Sequence, residues 1–387
     1  MTQSGLKKKR LAVVIPKFGL VGGAEQFAWE LTSRIAGIPD YEVHVFANKW
    51  APAAQAGGRI TFHKVPIITF PRFLTTLSFA RMARSEIEKA GPFDIVHTHD
   101  RIFRADLFTM HGVPHRYWVR EVRQKRMSLF DRATSFVDES LILAGAPCRF
   151  AVVSNLVKQT LMDEYPAVDA GSISVIRPGV EIERFQKAKG NRAQTRQALG
   201  VNEDEILVLF VSMNFELKGL DLLMEALGRL KKLLSGKKFR LLVAGKGNLK
   251  KYGRKAAESG IGGDVIFAGI LNKEQMADIY GACEIFSMLS KFDTFGMSVL
   301  EAMAASLPVV ITDRVGARDL VAEGVNGFSV SADAGPDEVA EKIKLASNSL
   351  GAMAQNAFRT AQGCTWAETA ARTEDLYREI LESKSKR

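Results

Sequence analysis

Short runs rich in valine, isoleucine and phenylalanine recur along the chain, separated by stretches with helical periodicity. They are Leu11 to Ile15, Val43 to Phe46, Ile95 to His97 and Phe150 to Val153. A second series follows at Ile206 to Val211, Phe239 to Ala244, Val265 to Ala268, Ile285 to Met288 and Pro308 to Ile311. Apolar strands alternating with helices predict parallel sheets covered on both faces by crossover helices. One such helix is legible in detail: between Gly219 and Leu234, the side chains of Leu220, Leu223, Leu227 and Leu230 share one face. Pro178 and Gly179, then a polar stretch with Lys187, Lys189, Gly190 and Asn191, separate the two series. At 387 residues the chain exceeds one ordinary core. We therefore expect an α/β protein of two doubly wound domains, residues 1–180 and 181–365. A last amphipathic helix within 366–387, with Ala370, Leu376, Tyr377, Ile380 and Leu381 on its apolar side, can pack back on the first domain. Ligands of doubly wound sheets bind beyond the strand C-terminal ends, so the expected active site is a cleft between the domains.

Charge and cysteine usage narrow the setting. Cys148, Cys283 and Cys364 lie far apart, which suggests neither a disulfide framework nor a zinc site and fits a reducing cytoplasm. Lys7, Lys8, Lys9 and Arg10 precede only the run Leu11 to Ile15 before Pro16 and Lys17 interrupt it, too short for an export signal or a membrane span. The formal net charge of +10 attracts anionic partners: nucleic acid, phosphorylated substrates or an acidic membrane face. With no zinc-finger spacing and no aromatic RNA-binding signature, nucleic acid is not an expected partner.

The first strand is followed by Gly19-Leu20-Val21-Gly22-Gly23-Ala24-Glu25. The paired glycines Gly22 and Gly23 ahead of a helix start let backbone N–H groups approach a phosphate, with the helix dipole adding to the attraction. The spacing matches neither the dinucleotide fingerprint nor the Walker loop, and a merely tight strand-to-helix turn explains it equally well. The second half carries the more specific pattern. Asp293-Thr294-Phe295-Gly296-Met297-Ser298-Val299-Leu300-Glu301 sets two acids around a glycine and runs into Ala302-Met303-Ala304. Leu307-Pro308-Val309-Val310, Gly316-Ala317-Arg318-Asp319 and Gly324-Val325-Asn326-Gly327-Phe328 follow.

Together with the early double glycine, Val180 to Phe185, Lys218-Gly219 and Gly245-Lys246-Gly247, this pattern resembles the retaining glycosyltransferases of family 4 over nearly the whole chain. It is closest to lipopolysaccharide-core glucosyltransferases. The resemblance implies the GT-B fold, two Rossmann-like domains facing across a cleft, a nucleotide-sugar donor, a glycan or glycolipid acceptor, and neither a metal nor a cofactor. It assigns Glu301 to the donor ribose, where an ionised carboxylate can accept from two hydroxyls. Asp293 then faces the transferred sugar, one methylene shorter than the family's usual glutamate; a helix cap is the alternative. Backbone N–H groups of Phe295, Gly296, Met297 and Ser298 would meet donor oxygens. Lys218, after Asn214-Phe215-Glu216-Leu217, falls where the family sets a lysine against the diphosphate, whose departure without a metal needs fixed positive charge. Many members carry an arginine where this chain has Met213 or Leu217, so either Lys218 works with helix N-termini alone, or a residue such as Lys246 assists it. A solvated surface lysine is the plain alternative. His111 falls where the family contacts the sugar at the reaction centre and would orient it rather than act as a base. His97 and His99 suit either strand-end hydrogen bonding or an acceptor role, and His44 reads as structural.

The implied chemistry is front-face departure and attack, since no residue declares itself as the carboxylate nucleophile of a double displacement. The nucleotide-binding signs argue against hydrolysis by paired carboxylates. Residues 115 to 132 hold Arg116, Arg120, Arg123, Lys125, Arg126 and Arg132 among Tyr117, Trp118, Val122, Met127, Leu129 and Phe130. Such interleaving suits either an anionic membrane interface or an acceptor-phosphate site, and a solvated basic face is the plain alternative. The expected location is cytoplasmic, with peripheral attachment to the inner membrane if that segment binds lipid. A UDP-hexose is the first donor choice and GDP-mannose the second. Two rivals stand: a sugar-nucleotide epimerase of the same fold, which needs an acid and a base around one sugar, and a catalytically silent sugar-nucleotide-binding protein, suggested by the missing arginine.

Overall fold

The computed structural model describes residues 8–386 apart from 21, 56–57, 145–147 and 235. Lys7 of the basic tail and Val21 of the glycine loop thus lie outside the described residues. The chain divides into two compact units, one of Met1–Pro178 with Trp366–Arg387, the other of Gly179–Thr365.

In the first unit the strands are β1 (Lys9–Val14), β2 (Lys17–Phe18), β3 (Tyr41–Ala47), β4 (Lys49–Trp50), β5 (Ile60–Lys64), β6 (Ile95–Thr98), β7 (Leu107–Met110), β8 (Arg149–Val152) and β9 (Ile173–Val175). Seven form one sheet in the order β5-β3-β1-β6-β7-β8-β9, while β2 and β4 make a separate pair. Every pairing in the large sheet is parallel. The central β1 reaches full burial at Ala12 and Val14, which join Phe46, Phe79, Ala80 and Ala83 in one core cluster. The helix Trp366–Ser385 lies against the helix Gly23–Ile35 and against β6 and β8. It is fixed there by polar and aromatic contacts: Tyr377 to His97 at 2.7 Å, Lys384 to Asp106 at 2.7 Å, and the ring of Trp366 edge-on to Phe27.

The second unit holds β10 (Ile206–Ser212), β11 (Phe239–Gly245), β12 (Val265–Gly269), β13 (Ile285–Met288), β14 (Val309–Thr312) and β15 (Gly327–Val330), ordered β12-β11-β10-β13-β14-β15. All pairings are parallel. The helix Leu220–Leu233 buries Leu220, Leu223, Leu227 and Leu230 on the sheet and beside the helix Pro336–Asn348.

The nine runs read from the sequence match strands to within one or two residues. Six described strands lie outside those runs: the two-residue pair β2 and β4, the interior β7, and the edges β5, β9 and β15. An edge strand is covered less completely, so it needs no continuous apolar run; Ile60–Lys64 interleaves Thr61 and His63, and β15 opens with Gly327.

Candidate functional site

In the second unit the strand C-terminal ends carry the loops with the candidate donor residues. The loop after β10 is a tight turn: the Asn214 side chain accepts from the N–H of Leu217 at 3.1 Å, and its carbonyl accepts from the N–H of Lys218 at 3.2 Å. Asn214 therefore builds the turn that aims Lys218. Gly219 closes it at φ 74°, and a Cβ there would stand 2.1 Å from the carbonyl oxygen of Leu289. Glycine is needed on both counts, conformational and steric. The neighbouring loop is tied to this turn by Lys291 N–H and Ser290 Oγ, both donating to the Leu217 carbonyl. Gly245, at φ 115°, lets β11 close on Ser212, where a Cβ would lie 1.8 Å from that carbonyl oxygen. Lys246 follows with its N–H on the same carbonyl at 3.0 Å and its side chain exposed.

Lys218 Nζ donates to Asp293 Oδ2, and both side chains are about one-fifth exposed, at 18% and 21%. Asp293 is held by its backbone, donating to Arg314 and accepting from Gly316, each at 2.9 Å. Its Oδ1 accepts from the N–H of Phe295 at 3.1 Å. The helix that follows, Met297–Ala304, takes Gly296 as N-cap with no side-chain cap, so Asp293 is not the cap considered above. The N–H groups of Gly296, Met297 and Ser298 make no hydrogen bond among the described residues, which leaves an anion-seeking helix start beside the Lys218–Asp293 pair.

Glu301 lies one turn into this helix. Its Oε2 accepts from the Tyr280 hydroxyl at 3.1 Å, and Arg184 Nη2 stands 3.9 Å from Oε1. Burial lifts the Glu301 carboxyl above the usual carboxylate range, against the opposing pull of Arg184, Tyr280 and Lys273. Tyr280 and Arg184 were not singled out by sequence reasoning. Arg184 falls within Val180 to Phe185 and could have been found there; Tyr280, from the separate helix Lys273–Ala282, gave no local signal.

In the first unit Gly22 is the N-cap of Gly23–Ile35 at φ 148°, and a Cβ there would run into the carboxylate of Glu25. Gly23 has open space around it. Three histidines gather at the ends of β6 and β7. His99 Nδ1 meets His111 Nε2 at 3.0 Å with the rings nearly parallel, and His97 bridges Tyr377 and Thr109, each at 2.7 Å. Phe27 packs edge-on to His111 at 4.8 Å. Burial pushes His97 and His111 down to about 3 and His99 well below its ordinary value, so all three are neutral near pH 7. His44 sits in β3 between Glu42 at 2.6 Å and His63 at 2.9 Å.

The basic segment does not present all its charge to solvent. Arg116 pairs with Glu139, Arg120 with Glu121 and Glu164, and Arg123 with Asp131. Lys125 and Arg126 are exposed, and Trp118 is half-buried. Large apolar side chains are exposed within the segment at Leu129, 69%, and outside it at Phe70, 88%, Phe136, 58%, and Ile68, 48%. Arg72 stacks on Phe130 and joins the two stretches. Among the described residues no cluster of potential metal ligands occurs, and no helix is long and apolar enough to cross a membrane.

Comparison with known proteins covers both units. The family described as Glycosyltransferase Family 4 matches residues 21–184, and that described as Glycosyl transferases group 1 matches residues 191–359. A D-inositol 3-phosphate glycosyltransferase of Frankia alni is 27% identical, covering 95% of this chain and 96% of its own length. That of Kribbella flavida is also 27% identical, covering 95% and 93%. Among solved structures, WaaG, a glycosyltransferase involved in lipopolysaccharide biosynthesis, superimposes with a TM-score of 0.77 at 19% identity, covering 95% of this chain and 99% of WaaG. Sucrose-phosphate synthase of Thermosynechococcus elongatus gives 0.76 at 19% identity over 97% and 100%. Anabaena HepE in complex with UDP gives 0.71 at 17% identity over 96% and 100%.

Proposed function

We propose that this chain, a group 1 glycosyltransferase with a family 4 domain and the GT-B fold, transfers a hexose from a nucleotide sugar with retention of configuration and without a metal. The observation that carries the reading is the second unit's edge, where Lys218, Asp293, the free N–H groups of Gly296 to Ser298, and Glu301 occupy adjoining turns. The departing diphosphate is stabilised by Lys218 and the helix start, with Lys246 as further positive charge. Phe295 shapes the turn before that helix. Glu301 takes the ribose hydroxyls, Asp293 faces the sugar, and His111 orients it.

A UDP-hexose is the first donor and GDP-mannose the second. The acceptor is a cell-envelope glycan or lipid-linked saccharide such as a lipopolysaccharide core. The name shared by the sequence relatives makes an inositol phosphate the second acceptor class. For a lipid-linked acceptor, attachment to the cytoplasmic face of the inner membrane runs through Ile68, Phe70, Leu129 and Phe136 with Arg72, Lys125 and Arg126, rather than through the ion-paired Arg116, Arg120 and Arg123. A silent binder or an epimerase would retain donor affinity without transferring the sugar. The test is turnover of UDP-sugars and GDP-mannose in EDTA, with acceptors of both classes and the product anomer read by NMR. Transfer with inversion, a requirement for a divalent metal, or binding without turnover would each refute part of the reading.

A further inference from the structure

His99 and His111 are brought together by the sheet. β6 and β7 are parallel neighbours in the register His97 opposite Leu107, so each histidine extends just past the end of its strand. The two rings share one N–N contact, His99 Nδ1 to His111 Nε2 at 3.0 Å. Both rings are held neutral by burial, and a hydrogen bond between two neutral imidazoles contains one proton, so only two arrangements exist.

If His111 Nε2 carries that proton, His99 accepts at Nδ1 and must hold its own proton on Nε2. That atom is buried and has no hydrogen-bond partner among the described residues, so the arrangement strands an N–H donor in the interior. If His99 Nδ1 carries the proton, Nε2 of His99 becomes a bare acceptor and His111 bears its proton on Nδ1. Orphaned buried N–H groups are the rarer and costlier defect in folded proteins. From this asymmetry, and resting on the reading of His111 given above, we propose that His99 is a positioning residue that fixes His111 as its Nδ1–H tautomer, presenting the sugar donor with a hydrogen-bond donor and no free base. His111 Nε2 is occupied by His99 and has no lone pair left to take a proton from an acceptor. The Nδ1–H instead donates to a hydroxyl or phosphoryl oxygen. His99 is kept in place by its burial against His97 and Phe27, with ring centroids 4.3 and 6.0 Å away, and His97 is in turn tied to Tyr377 and Thr109.

The test is imidazole 15N NMR on the full chain with labelled histidine at pH 7, combined with steady-state kinetics. In the wild type His111 should show a protonated Nδ1 and an unprotonated Nε2; the reverse pattern overturns the proposal. His99→Phe removes the partner while keeping a flat ring, and should shift His111 toward Nε2–H and lower kcat about tenfold or more, with the donor KM nearly unchanged. His99→Asn places an amide N–H where Nδ1 stood, and should keep the His111 tautomer and restore much of kcat. A His111 that keeps its Nδ1–H in His99→Phe sinks the idea; if that variant folds poorly, a protonated Nε2 on His111 in the wild type or in His99→Asn still overturns it. His111→Phe with unchanged turnover would instead defeat the role given to His111, leaving the spectroscopic result standing; the two failures are therefore distinguishable.

Discussion

The hydroxyl of Tyr280 donates to Oε2 of Glu301 across 3.1 Å, and it lies 3.3 Å from the carbonyl oxygen of Ser298 in the same helix turn. Tyr280 is fully buried, and burial raises its own ionisation well above the usual range, so it is a permanent donor near neutral pH. It orients a carboxylate whose pKa burial raises and whose charged form this hydrogen bond favours. Replacing Tyr280 with Phe should weaken nucleoside diphosphate binding about tenfold, as expected for losing one hydrogen bond to a charged group. Calorimetry with UDP and with its 2′-deoxy analogue checks the route: the loss should shrink for the analogue. Because the Glu301 pKa is raised, affinity should fall on acidification at a pH above the ordinary carboxylate range, and fall earlier in Tyr280→Phe.

Lys218 and Asp293 form an ion pair with each other. Asp293→Asn frees the ammonium, so affinity for UDP or GDP alone should rise about fivefold, the equivalent of about 1 kcal/mol. Turnover of the intact sugar donor should fall in the same variant, because the group facing the sugar has lost its charge. Lys218→Ala should lower both quantities. Parallel changes in binding and turnover for Asp293→Asn would remove Asp293 from the sugar's side.

Gly219 and Gly245 hold positive φ with a carbonyl oxygen where a Cβ would go. Alanine at either position should cost more than about 2 kcal/mol, combining left-handed strain with a backbone clash. Gly253 lies within the helix Leu249–Glu258 with nothing within 4 Å of its would-be Cβ, so Gly253→Ala should stabilise by roughly 1 kcal/mol. Urea unfolding of the three variants tests the contrast.

All six histidines fall between His44 and His115, within the first unit. For a base whose folded pKa is lowered, the unfolded chain binds more protons, so stability is fully present above the unfolded value and is lost as pH falls below it. With His97 and His111 at about 3 when folded, the first unit should lose stability below pH about 6.5, by about 1 kcal/mol per buried histidine per pH unit. Differential scanning calorimetry between pH 7.5 and 5.5 should show one transition moving down, the second unit having no histidine to contribute. Substituting His97 by Gln should flatten the dependence.

The exposed apolar set in the first unit predicts where lipid contact would be lost. Phe70→Ser with Phe136→Ser should abolish sedimentation with anionic vesicles at low salt, whereas Arg120→Ala, whose partner is Glu164, should change it little. No sedimentation of the wild type under those conditions would remove the membrane from the proposal.

The architecture was legible because a strand covered on both faces is written as an unbroken apolar run, and a crossover helix as a 3.6-residue period. Lys218, Asp293 and Glu301 could be named as candidates because each falls in a local motif of the family resemblance, Lys218 beside Gly219 and the two acids on either side of Gly296. The edges β5, β9 and β15 were not legible, since a segment with one open side can do without an unbroken apolar run, although the edge β12 has one. The basic segment was misleading in one respect: Glu139 and Glu164, which hold Arg116 and Arg120, are distant in sequence.

The sequence by itself determined the two series of strands and helices and the candidate residues on the loops that follow the strands. Only the tertiary structure decided which of those residues touch. Lys218 meets Asp293, His99 meets His111, and Tyr280 reaches Glu301 because parallel pairing and helix packing set side by side groups that are from 12 to 75 residues apart along the chain. Proton placement and charge balance depend on those contacts and on burial, and neither is encoded at any single position.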